Sequence, residues 1–259
     1  MARPLEGKRI LVTRAREQAA PFSREIINRG GIPVEIPVIA FRRPAHITEM
    51  KTALSHLSEF KWIIFTSANG VRFFMERLRE FHLDFPKEAK IAVVGEKTND
   101  TLKNYGLAAC IVPKKFVAES LLEQLKSEVQ PGDKVLMPRG NLARKVLPEE
   151  LGSLGAAVTD LVVYETIQNN GSRHALAESI LKHRVDAVTF TSSSTVTHFM
   201  RLLAAAGLKD RMGQVKIACI GPVTAETARE SGLVPDIVAE EFSTSGLLDA
   251  LEQFYGEGS

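Results

Sequence analysis

Cysteine, tryptophan and tyrosine are scarce in this chain, with 2, 1 and 3 among 259 residues. Two thiols cannot build the disulfide framework of a small secreted domain. Cys110 and Cys219 both lie in short apolar runs and read as buried core residues. The six histidines (46, 56, 82, 174, 183 and 198) show neither an H-x-x-x-H nor a Cys-His spacing, so no metal site is expected. Charge of one sign is also missing. Against 33 basic residues stand 31 acidic ones, net +2, and no Lys/Arg run exceeds two, which argues against nucleic acid as a partner. No apolar run exceeds six residues, too short to cross a membrane. The opening MARPLEGKR has no apolar signal core, and the expected location is cytoplasmic. There is no G-x-x-x-x-G-K-[ST] loop, no G-x-G-x-x-G after the first strand and no G-x-S-x-G elbow. Ser58–Lys61 and Ser179–Lys182 match S-x-x-K only in form, without its companion motifs. No cofactor is expected.

What the chain does have is a repeat of itself. FTSANGVRFFMERL at 65–78 returns as FTSSSTVTHFMRLL at 190–203, with seven of fourteen positions identical. KIAVVGEKTNDTLKNYGL at 90–107 returns as KIACIGPVTAETARESGL at 216–233, and KRILVTR at 8–14 as DKVLMPR at 133–139. The offsets are 125, 126 and 125 residues. Two halves on one plan imply two similar domains with a ligand cleft between them, and the length suits two domains. Short β-rich runs recur in each half: RILVT (9–13), PVEI (33–36), WIIF (62–65), IAVV (91–94), CIV (110–112), VLM (135–137), VTDLVV (158–163), AVTF (187–190), IACI (217–220) and DIV (236–238). Segments of helical spacing separate them. Alternating strands and helices predict a parallel, doubly wound α/β sheet in each domain, and five strands per half favour a flavodoxin-like order. Residues 42–46 and 168–172 occupy equivalent places and read as two linkers. The tail, 256–259, reads as frayed.

Several strands end in small hydroxyl or glycine residues just before a helix. These are Thr13-Arg14, Thr66-Ser67-Ala68-Asn69-Gly70, Gly95 with Thr98, Arg139-Gly140, Ser192-Ser193-Ser194, and Gly221-Pro222 with Thr224. In an open parallel sheet the carboxyl ends of the strands border the ligand crevice. Helix N-termini there present free N–H groups and a positive dipole end, which suits anions. Any one of these turns is adequately explained as an N-cap; the set, repeated in both halves, points to an anion-binding cleft. Arg14 and Arg139 end equivalent strands. Each could pair with a carboxylate, although taken singly each reads more simply as a solvated rim residue.

In FTSANGV, PRG with LPEEL and LVVYET, FTSSSTV, and CIGPVTAETARESGLVPDIVAEEFSTSGLLDAL, the chain resembles the uroporphyrinogen-III synthase family along nearly its whole length. The resemblance implies two similar flavodoxin-like domains joined by two extended linkers. One would combine 1–38 with 168–259; the other would be 39–167. It implies a cofactor-free cyclising lyase of haem and sirohaem (tetrapyrrole) biosynthesis. Such an enzyme closes linear hydroxymethylbilane to uroporphyrinogen III, inverting ring D through a spiro intermediate and losing water. It implies a monomer with no nucleic-acid or membrane partner. Tyr164 would assist departure of the hydroxyl, since a phenol is a neutral donor near pH 7; as a plain core aromatic it has an equally ordinary explanation. Its neighbour Glu165 reads as a solvent-facing residue. Substrate contacts would come from Thr13, Arg14, Thr66, Ser67, Ala68, Asn69, Gly95, Thr98, Arg139, Gly140, Ser192, Ser193, Ser194, Gly221, Pro222 and Thr224. The turn at Gly95 lacks the proline of Gly221-Pro222, which makes Thr98 a weaker match than Thr224. The rival reading is a two-domain cytoplasmic module that binds a small polyanion without turning it over.

Overall fold

The computed structural model describes residues 3–45, 47–113, 118–182, 185–209 and 211–257. His46 and His183, and the last two residues of the tail, lie outside them. In chain order the elements are β1 (Arg9–Val12), α1 (Arg16–Asn28), β2 (Ile32–Glu35), β3 (Ile39–Arg42), α2 (Thr48–Ser55), β4 (Trp62–Phe65), α3 (Ala68–Glu80), β5 (Lys90–Val93), α4 (Glu96–Lys103), α5 (Ala118–Leu125), β6 (Lys134–Gly140), α6 (Val146–Ser153), β7 (Ala157–Gln168), α7 (Arg173–Leu181), β8 (Ala187–Phe190), α8 (Ser193–Ala205), β9 (Lys216–Cys219), α9 (Pro222–Glu230), β10 (Ile237–Val238) and α10 (Thr244–Glu257). The chain divides into two compact units, 1–41 with 167–259, and 42–166.

The first unit is built on a sheet of order β10-β9-β8-β1-β2, parallel throughout. Renumbered along this unit, that is the flavodoxin-like order 2-1-3-4-5. Its strands are apolar on both faces because both are covered. Leu11, Val188, Phe190, Ile217 and Cys219 pack with Leu176, Phe199, Leu203 and Ala225 of α7, α8 and α9. The alternate residues Ile10, Val12, Ala187 and Ala218 pack with Phe22 and Ile26 of α1 and Leu247 and Leu251 of α10. The period of two along each strand thus sorts the core into two layers.

The second unit carries strands in the order β7-β6-β4-β5. One face, through Trp62, Ile64, Val135 and Met137, packs on Leu121, Leu125, Leu147 and Leu151 of α5 and α6. On α3, Phe74 meets Phe65 edge to face, with centroids 5.7 Å apart. Counted from β6, this sheet runs 2-1-3-4, and Ile111 bridges to Ala92 at the edge where a fifth strand belongs. It is the same order, permuted. β1 and β6, β4 and β8, and β5 and β9 are the repeated sequence blocks. Each unit therefore takes two strands from one half of the chain and the remaining strands from the other.

Two expectations need correction. The run CIV is not a strand but one bridging residue, and Cys110 beside it is exposed. It lies at a sheet edge with a single bridge, and its thiol donates to the Ile91 carbonyl at 3.1 Å. Cys219, on an inner strand, is buried as expected, and burial pushes its thiol up to about 11. The segments read as linkers fall where the chain passes from one unit to the other. The first begins on β3, and the second begins at the end of β7 and closes into a single 3-10 turn over Asn170–Ser172. Within that turn's surroundings, the Asn169 side chain and the Ser172 hydroxyl both donate to the Pro37 carbonyl, at 2.9 and 2.7 Å.

Candidate functional site

In the first unit the expected residues gather at the carboxyl ends of β1, β8 and β9. Thr13 is fully buried, and its hydroxyl donates to the Thr189 carbonyl at 2.6 Å. That hydroxyl ties β1 to β8 and is not presented to a ligand, contrary to expectation. Arg14 is only 8 % exposed, so the solvated-rim reading fails for it. Its guanidinium sits 5.8 Å from the centroid of the Phe22 ring. Its Nε is buried with no hydrogen-bond partner, and burial lowers its pKa. Ser192 caps α8 by accepting from Thr195 N, and Thr195 returns the bond in a capping box. The Ser193 hydroxyl accepts from Thr227 at 2.7 Å, and those of Ser192 and Ser194 lie 2.9 Å apart. Gly221 is extended (φ 174°) and precedes Pro222, the first residue of α9, without any side-chain cap. Thr224 is buried one turn later.

One residue at this end was missed. Phe242 is 67 % exposed, and its ring lies 2.9 Å from where a Cβ on Gly221 would sit. A large aromatic left in solvent beside a helix N-terminus is a stronger pointer to ligand contact than any single serine there. It stands in the motif EEFSTSGLL, where periodicity gave it no distinction. A side chain at Gly221 would first meet this ring.

In the second unit the residues converge around β6. Ser67 caps α3, accepting from Gly70 N at 3.0 Å. Thr66, Ala68 and Asn69 are half-buried. A Cβ on Gly70 would lie 2.8 Å from the Pro138 carbonyl, so only glycine lets α3 start this close to β6. Gly95 caps α4 with extended backbone and no side chain, and Thr98 is buried. Arg139, 5 % exposed, is again no rim residue. It pairs with both carboxylate oxygens of Asp160 and donates to the carbonyls of Gly140 at 3.2 Å and Ala143 at 3.0 Å. The hydrogen bonds to Asp160 raise its pKa.

Tyr164 is held by backbone geometry. The β6–β7 register slips between Arg139 and Gly140, which sets Gly140 opposite Tyr164. A Cβ on Gly140 would be 2.5 Å from Tyr164 Cζ and 2.7 Å from its hydroxyl oxygen. On the other side the ring stacks on Phe73 of α3, with centroids 4.9 Å apart and planes at 17°. The Glu165 carboxylate accepts from Arg42 Nε at 2.6 Å in an exposed ion pair. A cavity of about 740 Å³ does occur in this unit, lined by Glu49, His56, Glu59, Phe60, Lys134 and Thr159 among others. It lies where β6 and β7 begin, away from every expected residue, and Lys134 there is already paired with Glu59.

A family model described as uroporphyrinogen-III synthase HemD matches residues 20–249. The chain belongs to the uroporphyrinogen-III synthase family. It is 33% identical over 258 residues to the uroporphyrinogen-III synthase of Synechococcus elongatus, covering 97% of both chains. It is 30% identical over 250 residues to that of Chlorobaculum parvum, covering 95% of this chain and 98% of the relative. A crystal structure of a mutant uroporphyrinogen III synthase from Thermus thermophilus superposes with a TM-score of 0.69, covering 98% of this chain and all of that one, at 23% identity. That structural likeness carries the fold. Among the described residues, no helix is long and apolar enough to cross a membrane, and no group of three or more His, Cys, Asp or Glu is placed to hold a metal ion.

Proposed function

We infer that this chain converts hydroxymethylbilane to uroporphyrinogen III, closing the linear tetrapyrrole with inversion of ring D and loss of water. The observation that carries the reading is the family match along almost the entire chain, with strand-end helix N-termini in both units as its physical support. The substrate is flexible, carries several carboxylates, and closes unaided to the wrong isomer, so the protein's task is chiefly to fix which carbon is attacked. Helix N-termini and short hydroxyls suit carboxylates. The contacts in this proposal are Arg14, Thr66, Ser67, Ala68, Asn69, Gly95, Thr98, Gly140, Ser192, Ser193, Ser194, Gly221, Pro222 and Thr224, with Phe242 added and the buried hydroxyl of Thr13 removed. Arg139 enters as a brace for the turn at 140–143, since Asp160 already meets its charge.

Tyr164 is the proposed donor to the departing hydroxyl. A ring fixed between Gly140 and Phe73 keeps its hydroxyl in one position, which is what a hydrogen bond made at the transition state requires. A cytoplasmic monomer completes the proposal, with gel filtration as the check on the monomer. The main test is turnover. The purified chain, incubated with hydroxymethylbilane and no additions, should yield mainly the III isomer by chromatography. A product mixture equal to the buffer control would overturn the assignment.

A further inference from the structure

Arg14 and Arg139 hold equivalent places in the repeat, 125 residues apart, and both are buried. Their charges are treated differently. Arg139 is closed off by the two oxygens of Asp160 and two backbone carbonyls. The position of Asp160 in the repeat belongs to Glu35 in the first unit. Glu35 pairs with Val12 on the neighbouring strand as Asp160 does with Met137. Yet Glu35 is exposed, and Arg14 forms no ion pair among the described residues. Desolvation is its sole perturbation, and its Nε is buried without an acceptor.

A buried cation without a partner is costly, and a folded chain rarely keeps one without a use for it. The surroundings of Arg14 suit an anion from outside. Phe22 lies against the guanidinium, and stacking on a ring leaves an arginine's N–H edge available for hydrogen bonds. Two residues on begins α1, thirteen residues long, whose N-cap Ala15 supplies no side-chain acceptor. Its first N–H groups and dipole end favour negative charge at the same place. The nearest charged neighbours in sequence, Arg16 and Glu17, are exposed and opposite in sign.

We propose that Arg14 is the charged receptor for one carboxylate of the tetrapyrrole substrate, and that the matching arginine of the second unit, Arg139, is structural. This rests on the reaction inferred above and assigns the two arginines different roles within it. The carboxylate would take a paired hydrogen bond from the guanidinium and further donation from the start of α1.

Steady-state kinetics with hydroxymethylbilane and thermal melting test the proposal on wild type, Arg14→Met and Arg14→Gln. A hydrogen bond to a charged group is worth about 1.5–3 kcal/mol, so KM should rise about ten- to a hundred-fold. The melting temperature should hold or increase, because an unpaired buried charge has been removed. Added salt should raise the wild-type KM by screening the polyanion's contacts, and that rise should flatten in the variants, one screened charge having gone. A KM near wild type in either folded variant overturns the proposal, as does a lowered melting temperature with unchanged KM, which would make Arg14 a packing residue. If neither variant folds, Arg14 is structural and the proposal falls. Wild-type turnover is read first, so that failure of the reaction assignment is seen separately. In that event citrate serves as the probe: a citrate-induced rise in melting temperature in wild type but not in Arg14→Met upholds the carboxylate receptor, and equal rises overturn it.

Discussion

The turns that end β1 and β6 start from one sequence plan and finish with different chemistry. At β6 the pair is Arg139-Gly140; at β1 it is Arg14-Ala15. Where the second unit has Asp160 and Tyr164, the same offset gives Glu35 and Ile39 in the first. Each substitution has a visible consequence. Glycine at 140 lets an aromatic ring lie on the backbone, while alanine at 15 stands at the start of a long helix with no tyrosine above it. Asp160 neutralises its arginine, whereas Glu35 turns to solvent and leaves Arg14 without a counter-charge. One scaffold thus holds a fixed phenol in one unit and an uncompensated cation in the other.

The largest effect expected from this contrast is on stability. Arg139→Met removes four hydrogen bonds and leaves the Asp160 carboxylate without its partner. Breaking a buried pair costs about 3–5 kcal/mol. Asp160 keeps 27 % side-chain exposure, so water relieves part of this, and about 2–3 kcal/mol is the expected loss. Arg14→Met should cost nothing or stabilise slightly. Urea unfolding of the two variants side by side checks this, and equal destabilisation would erase the distinction between the two arginines.

Next comes the seat of the tyrosine. Gly140→Ala makes the second turn resemble the first. Its methyl would meet a ring held by Phe73, and overpacking of this kind costs about 1–3 kcal/mol. It also displaces the hydroxyl, so turnover should fall about ten-fold or more. Tyr164→Phe, which keeps the ring and loses the donor, should lower turnover by about a hundred-fold. Ala15→Gly at the equivalent place should leave kcat intact. Should Ala15→Gly slow kcat as much as Gly140→Ala does, the phenol is not what distinguishes the second turn.

The strands were legible in the sequence because parallel strands covered on both faces become short apolar runs. WIIF and AVTF are observed at the residues expected. The repeat revealed which strand ends are equivalent, and the family motifs carried the reaction. What could not be read was whatever depends on the partner of a side chain. Nothing in KRILVTR and DKVLMPR tells that one arginine meets an aspartate 21 residues away while the other meets none. The register slip that brings Gly140 under Tyr164 is a backbone event with no periodic signature. Cys110 resembled Cys219 because both lie in apolar runs, and only the sheet edge separates them. Phe242 went unnoticed for the opposite reason: an apolar residue in a motif is taken for core until its exposure is seen.

The smallest effects are expected at the paired serine caps. Ser67 and Ser192 occupy equivalent places, and each accepts from the backbone N–H three residues on, at 3.0 and 3.3 Å. Ser192 also belongs to a capping box in which Thr195 Oγ1 accepts from Ser192 N at 3.3 Å, a bond that survives loss of the serine hydroxyl. At the other turn Gly70 stands where Thr195 would, so Ser67 has no such support. An N-cap is worth about 1 kcal/mol. Ser67→Ala should therefore lose about 1 kcal/mol, and Ser192→Ala about half as much, measured by thermal or urea unfolding. Both hydroxyls already serve the helix, so turnover should drop by no more than about three-fold to ten-fold, the range of one neutral hydrogen bond. A hundred-fold loss of turnover with unchanged stability, in either variant, would show that the hydroxyl belongs to the ligand and not to the helix. The two turns would then differ in a way that the arginines alone do not explain.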